Sequence, residues 1–581
     1  MFEAREKWVD ELLGRLSPEQ KIGQLLVFGF CSPVITPDVV ELIRKYHVGG
    51  LRVSQKFRCI NLFNDVKPGT EPEAWVMRSL HYPEGLNRDF STMQPSPHCT
   101  AEQYAGVLNR LRDHAMDRPG AVPLHFTIDQ EGSASDDLLC GQRLFPHPMG
   151  LAASGDPALS FRVAYSIGQQ ARAMGVNMIH SPVLDVNTDP RNPEIGTRAY
   201  GDNAEDVTRH GLETLRGFQQ SGLVATGKHF PGRGESAADA HWGLPTVEVD
   251  RKRMDEVHLA PYRALIDAGL PAIMMAHCLY PSLGVTEEPA SCTRSLVTDF
   301  IRGELGFEGV ITTDNMMMGG LLQRYELTEA VLRTLQAGCD LVLLRDESPI
   351  RIRICEKLLE ALRNGRLSEK EVDEKVRRIL RMRWDMGLAE DGGKVDPDSA
   401  GEPTGSSAVV RTADEAAEKS LLLLRDNPGA LPVDTADKVL LVEQVFPTHS
   451  ESNNMYSHPG MLWEQMSRLG EYVGSVEVPM TCDAEQRQRV LRRLDEDWDV
   501  IVATNYYYHK TPGAITELVR ELIGTGKPVI VVTNTPYAFG AAEDFPSVLV
   551  CFNPGSKECL RATADAIFGR LKPHGQLQVR L

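Results

Sequence analysis

Along the first 390 residues, short apolar runs alternate with longer stretches in which apolar positions recur every three or four residues. The short runs are 24–29 (QLLVFG), 49–53 (GGLRV), 124–129 (LHFTID), 177–185 (NMIHSPVLD), 224–229 (VATGKH), 272–277 (AIMMAH), 309–314 (GVITTD) and 340–345 (DLVLLR). Each has the length of a buried strand, and stretches such as 158–174 and 204–221 carry helical spacing. Strand and helix in alternation predict parallel strands with crossover helices. Eight such units predict an α/β fold with a closed, TIM-type (β/α)8 barrel over 1–390. Residues 391–408 are rich in Gly, Pro, Ser and acids without periodicity and read as a linker. Beyond it, apolar runs at 439–446, 473–478, 500–505, 528–534 and 547–553 alternate with helical segments. Residues 409–581 therefore read as a second α/β domain with an open, mostly parallel sheet. It contains neither a GxGxxG nor a Walker loop, so nothing marks a nucleotide site.

Polar residues interrupt this pattern at the strand ends. Five of the eight barrel strands finish on Asp129, Asp185, His229, His277 or Asp314. In a barrel of this type the C-terminal strand ends carry the chemistry, because the loops there converge on one pocket. One excursion, 56–98, has no periodicity but holds Phe57, Phe63, Trp75, Tyr82 and Phe90. A loop of that length inside a barrel is expected to serve function.

Composition narrows the partners. The 581 residues carry 62 basic and 80 acidic side chains, a balance of −18. That argues against nucleic acid or an anionic membrane, both of which demand basic surface. The N-terminus (MFEAREKWVDELLGRL) lacks the apolar core of a secretion signal, and no run of 18 apolar residues occurs. Eleven scattered cysteines, never spaced CxxC, read as reduced thiols of a cytoplasmic protein rather than a zinc site or disulfide framework.

Three stretches carry candidate chemistry. KHFPGRGESAADAHWGLP (228–245) delivers Asp239 and His241 two residues apart. In an extended loop these side chains share a side, so the carboxylate can orient the imidazole and stabilise its protonated form. A bare DxH also fits a solvated loop in which the two never meet. In GVITTDNMMMGG (309–320), a buried strand stops at Asp314, a base, nucleophile or metal ligand, and the following methionines read as barrel packing. FTIDQEG (126–132) and SPVLDVNTDPRNPEIGTRAYG (181–201) place Asp129 and Arg198 among turn residues, and polar groups of this kind suit a polyhydroxylated ligand. Tyr506–His509 (YYYH) offers contacts to a bound ligand or to a second copy in a homodimer, against the plainer reading of a strand-end cluster.

Together, KHFPG-x-G with the DxH histidine seven residues beyond it, DQEG, SPVLDVN…IGTR and a late TD-x-x-M resemble glycoside hydrolase family 3. The DxH form is similar to its bacterial β-N-acetylglucosaminidase branch. The resemblance runs from LSPEQKIGQLL to about residue 390 and more loosely beyond. It implies that Asp314 is the nucleophile, His241 the general acid/base and Asp239 its partner. It also implies that Asp129, Arg198, Lys228 and His229 bind the sugar, with no metal and no organic cofactor. The implied activity is retaining hydrolysis of terminal GlcNAc from small glycosides, such as cell-wall fragments or chitooligosaccharides. Alternatives are a glycosidase or glycoside phosphorylase of different sugar specificity, and a non-catalytic sugar-binding protein. The chain departs from the pattern in three places, one of them the long excursion at 56–98. After DQEG, the expected GGRV and substrate-contacting Arg are replaced by GSASDD, so position 137 is acidic and Arg143 stands as the substitute. Position 233 is Arg where the family commonly has His.

Overall fold

The computed structural model describes residues 2–31, 33–55, 99–132, 136–139, 141–240, 243–345, 347, 349–426, 430–445, 460–479, 482–507, 515–539 and 544–581. The excursion at 56–98 lies outside them, as does His241.

Eight short parallel strands form the first sheet: β1 (Leu26–Cys31), β2 (Gly50–Ser54), β3 (His125–Ile128), β4 (Met178–Ile179), β5 (Val224–Phe230), β6 (Ala272–Met275), β7 (Val310–Thr313) and β8 (Val342–Leu344). They pair in chain order, with β8 beside β1. A parallel bridge between Thr312 and Leu341 brings β7 to β8 and closes the barrel. Every residue of these strands is buried, as expected where helices cover the outside and side chains fill the inside. The strand expected over 177–185 is regular only at Met178–Ile179. Pro182 has no N–H to give a ladder, yet the path continues through a Val183–Lys228 bridge and a Leu184 N–H to the Lys228 carbonyl.

The expected helices are present with identifiable ends. Asn203 caps the helix Ala204–Ser221 by accepting from Asp206 N–H, and Gly222, at φ +80°, ends it in the left-handed region. Asp156 does the same for Pro157–Ala173 through Ala158 N–H. Residues 391–408 hold short turns, and the helix Ser407–Ser420 begins within them. None of the described helices is long and apolar enough to cross a membrane.

The second sheet runs β11–β10–β12–β13–β14–β9. Its strands are β9 (Leu422–Asp426), β10 (Lys438–Val445), β11 (Tyr472–Pro479), β12 (Val500–Thr504), β13 (Val529–Thr533) and β14 (Ser547–Val550), all parallel except β9. Along β10, Val439 and Leu441 enter one core, Leu440 and Val442 the other, so both faces are covered. The antiparallel edge strand β9 was not expected. Its three leucines and the Leu421 before them follow a helical run, and a short apolar run reads equally as helix or strand. Tyr506 is buried among the core residues, and the Tyr507 hydroxyl bonds Thr516 at 2.7 Å. Tyr506 is therefore not available as contact surface, which corrects that expectation for it, while Tyr507 is half-buried. His509 lies outside the described residues.

The domains meet through Met149, Ala153, Leu422, Val550, Phe552 and Val579. Gly150 is required there, since a Cβ would come within 2.7 Å of Phe552. Asn553 Nδ2 donates to the Phe145 carbonyl at 2.7 Å, and Asn187 Nδ2 to the Tyr537 hydroxyl at 2.8 Å. The second domain thus braces the loops that follow β3 and β4.

One buried acid there sets a pH dependence. Glu443 on β10 is 2% exposed and accepts Leu462 N–H at 2.7 Å. Burial pushes its carboxyl from 4.5 up to about 7. Its contribution to stability is fully present below the unfolded value and is lost as pH rises through about 7. Glu443→Gln keeps the acceptor without the charge. It is expected to raise the stability of the second domain by about 2 kcal/mol at about pH 8, the gain vanishing below about pH 4.5. Calorimetric melting of both proteins across that range checks it.

Candidate active site

Four of the five polar strand ends converge at the C-terminal mouth of the barrel. Asp314 follows β7, and its Oδ1 accepts the Asn315 N–H at 2.7 Å. Its Oδ2 lies 3.3 Å from Arg233 Nη2 and 3.8 Å from His229 Nε2. Lys228 and His229 end β5, and the peptide between them is cis. His229 Nδ1 is 2.7 Å from Asp185 Oδ2, which also accepts the His229 N–H, while Arg233 N–H donates to Asp185 Oδ1 at 2.7 Å. One carboxylate thereby fixes the whole 229–233 turn. Gly234, directly after it, is obligatory, because a Cβ would fall 1.8 Å from the Val186 carbonyl oxygen. His277, the fifth strand end, is buried and hydrogen-bonded to Ser291 Oγ at 2.8 Å.

Protonation follows from burial and charge. Burial, then the Arg233, Arg198 and Lys228 cations, hold His229 well below the usual imidazole value, so it is neutral. Arg198 Nη2 donates to Nε2 at 3.3 Å, which leaves the proton on Nδ1 facing Asp185. Burial raises the Asp185 carboxyl, partly offset by Arg233.

On the opposite wall, Asp129 meets Lys228 Nζ at 2.8 Å, His180 Nδ1 at 3.3 Å and Arg52. Burial alone would raise its pKa, but Lys228 and Arg52 hold it well below the carboxylate range. Glu131 takes Arg198 in a two-pronged pair at 2.8 and 3.0 Å and also meets Lys228. Its pKa is lowered because Arg198 and Lys228 outweigh the desolvation of burial. Asp314, Asp129 and Arg198 keep 15%, 13% and 13% side-chain exposure, against 2% or less for Lys228, His229, Arg233, Glu131, Asp185 and Glu194. Those three side chains are the ones left partly accessible at the mouth, and the others are buried against them.

The structure therefore brings Asp129, Arg198, Lys228, His229 and Asp314 together. Asp239 is half-buried on the loop above, whose Ala240 N–H donates to Glu194 at 3.4 Å and whose Ala240 carbonyl accepts from Gly320 N–H at 3.0 Å. Arg143 is a correction. Its backbone N–H is fixed by Gln170, and its guanidinium turns to the Thr404 carbonyl and Glu558, at the junction with the second domain. The buried cation near Asp137 is instead Arg52, on β2, 2.8 Å from that carboxylate. The signal for it was a lone charge inside the apolar run GGLRV. Glu131 and Glu194 were also missed as site residues, although both sit in the quoted motifs. Met316, Met317 and Met318 are buried in the barrel core.

Residues 17–382 match the glycosyl hydrolase family 3 N-terminal domain. The chain belongs to glycosyl hydrolase family 3. Within the family it is 28% identical over 383 residues to beta-hexosaminidase A of Pseudoalteromonas piscicida, covering 60% of this chain and 63% of that one. It is 31% identical over 301 residues to a beta-hexosaminidase of Alkalilimnicola ehrlichii, covering 50% of this chain and 84% of that one. Among solved structures it is similar to a family 3 beta-N-acetylglucosaminidase from Paenibacillus sp. str. FPU-7. The TM-score is 0.82 at 28% identity, over 97% of this chain and 99% of that one. The family 3 barrel is thus the part that carries the Asp314 cluster, and the Paenibacillus similarity extends over both domains.

Proposed function

We propose that this family 3 chain is a retaining β-glycosidase of the β-N-acetylglucosaminidase type, with a catalytic barrel over 1–390 and a bracing second domain over 409–581. The observation that carries the proposal is Asp314: a carboxylate at the barrel mouth, open to a ligand and facing Arg233 and His229. Asp314 attacks the anomeric carbon as the bond to the leaving oxygen breaks, and His241 gives that oxygen its proton. Water then attacks the same carbon, its proton passes to His241, and the electron pair of the C–O bond returns to Asp314. Asp239 orients the imidazole and stabilises its charged form. Asp129 and Arg198 supply fixed, charged hydrogen-bonding groups for the sugar hydroxyls and the 2-substituent, held in place by Lys228, His229 and Glu131.

Small GlcNAc-containing glycosides, such as cell-wall fragments or chitooligosaccharides, fit this reading. Eight of the nine described cysteines are buried, which supports a cytoplasmic location. A panel of aryl β-glycosides of GlcNAc, GalNAc, glucose and xylose, assayed with and without phosphate, tests the proposal. The expected result is preferred release of free GlcNAc. Faster turnover of another sugar would overturn the specificity, a glycosyl phosphate product would make the enzyme a phosphorylase, and binding without turnover would make it a sugar-binding protein.

A further inference from the structure

The resemblance places His at position 233 where this chain has Arg, and gives that residue no role. Arg233 comes from the turn after β5, and Glu194 from the loop after β4. They meet at 2.6 Å, and both are 2% exposed on their side chains. The same Arg233 Nη2 reaches Asp314 Oδ2 at 3.3 Å. On its other side, Glu194 Oε2 accepts the N–H of Ala240, the residue between Asp239 and His241. Asn192 secures both partners: its Nδ2 donates to the Arg233 carbonyl at 2.8 Å, and its Oδ1 accepts Glu194 N–H at 2.9 Å. Arg233 Nε and Nη1 are buried and find no acceptor among the described residues. The guanidinium is held by the charges of Glu194 and Asp314.

We propose that Arg233 and Glu194 form a positioning pair that joins the nucleophile Asp314 to the loop bearing Asp239 and His241, and that Arg233 favours departure of the Asp314 carboxylate in the second half-reaction. The inference rests on the retaining reading above. Its physical basis is that the two half-reactions change the charge on Asp314 in opposite directions. In the first, the carboxylate spends an electron pair on the anomeric carbon and loses its charge, so the attraction to Arg233 weakens. In the second, water bonds to that carbon, the carbon–Asp314 bond breaks, and the pair and the charge return beside the guanidinium. A fixed cation therefore makes Asp314 a slower nucleophile and a better leaving group. Glu194 offsets part of that cation and ties its position to the acid/base loop.

The experiment uses the full chain and a 5-fluoro-N-acetylglucosaminyl fluoride, whose slow second step lets the glycosyl-enzyme be isolated, located by mass spectrometry and followed as it decays. In the wild type the label is expected on Asp314; its absence would overturn the retaining reading itself. With the wild type labelled, Arg233→Gln is expected to slow release of the sugar by about 10- to 100-fold. On an activated aryl glycoside, kcat should fall more than kcat/KM, and the acid limb of the kcat/KM profile should move to higher pH. Arg233→Lys, which keeps the charge, should restore most of the release rate. Release at the wild-type rate, or equal losses in kcat and kcat/KM with an unmoved pH profile, would overturn the inference. Should Arg233→Gln fail to fold, Glu194→Gln provides the second test. It leaves the guanidinium, and its single oxygen, drawn to that cation, leaves an NH2 that cannot accept the Ala240 N–H. The loop thus loses its anchor, and substrates with poor leaving groups should be penalised more than activated ones. Equal penalties for the two substrate classes would count against the coupling.

Discussion

Replacing Asp314 by alanine is expected to lower turnover of every glycoside by about four orders of magnitude or more, while sugar still binds. The carboxylate makes the new bond to the anomeric carbon, and no other carboxylate among the described residues has its placement. Asp129 and Glu131 are committed to Lys228, Arg52 and Arg198, and Asp185 holds the 229–233 turn. Asp129 and Arg198, the groups offered to the hydroxyls, remain after the substitution, so affinity for the product sugar should change little. The cavity left by the carboxylate also gives a positive signal. Azide entering it can attack an activated substrate from the face that Asp314 used, yielding an α-glycosyl azide. Near wild-type activity, or a β-configured azide product, would remove Asp314 from the nucleophile's role. Binding is followed by calorimetry with the free sugar and turnover with a nitrophenyl glycoside.

His241→Ala is expected to divide substrates by leaving group. An alkoxide or sugar alcohol cannot depart without a proton, so glycosides of that kind should lose about three orders of magnitude. A dinitrophenolate leaves unaided, and such glycosides should form the glycosyl-enzyme at close to the wild-type rate. The companion change Asp239→Asn bears on the same group from the other side. An ionised Asp239 stabilises the imidazolium and raises its pKa, and a neutral amide withdraws that help. The basic limb of the kcat/KM profile should therefore move to lower pH. Equal losses on both substrate classes would refute an acid role for His241, and an unmoved basic limb would refute the pairing with Asp239.

Much of the architecture was legible in the pattern of apolar positions. The eight runs became the eight strands, because a strand covered on both faces needs an unbroken apolar run and the helices between need a different period. The exceptions have local causes. Strand β4 shrinks to two residues where Pro182 interrupts the ladder, and β9 hid in a leucine run that either period would accept.

The residues of the site were legible one by one, from strand ends and motifs, but their couplings were not. Asp129, Arg198, Lys228, His229 and Asp314 come from four separate strands or loops, and sequence spacing says nothing about distances across the mouth of a barrel. Arg143 shows the consequence: read along the chain it was the nearest replacement for a missing cation, yet in space it serves Glu558 in the second domain. Arg52, 77 positions before Asp129, fills the place near Asp137 because neighbouring strands of a barrel bring their inward side chains together.

The amino-acid order alone determined the class of fold, the division into barrel and second domain as an expectation, and the chemical types gathered at the strand ends. Those depend on local periodicity and on which residues can end a strand. Only the tertiary structure decided which charges are buried against each other, which proton His229 keeps, and that Arg233 and Glu194 bridge Asp314 to the Asp239 loop. These are properties of distance and desolvation, and both are set only when remote segments are packed together.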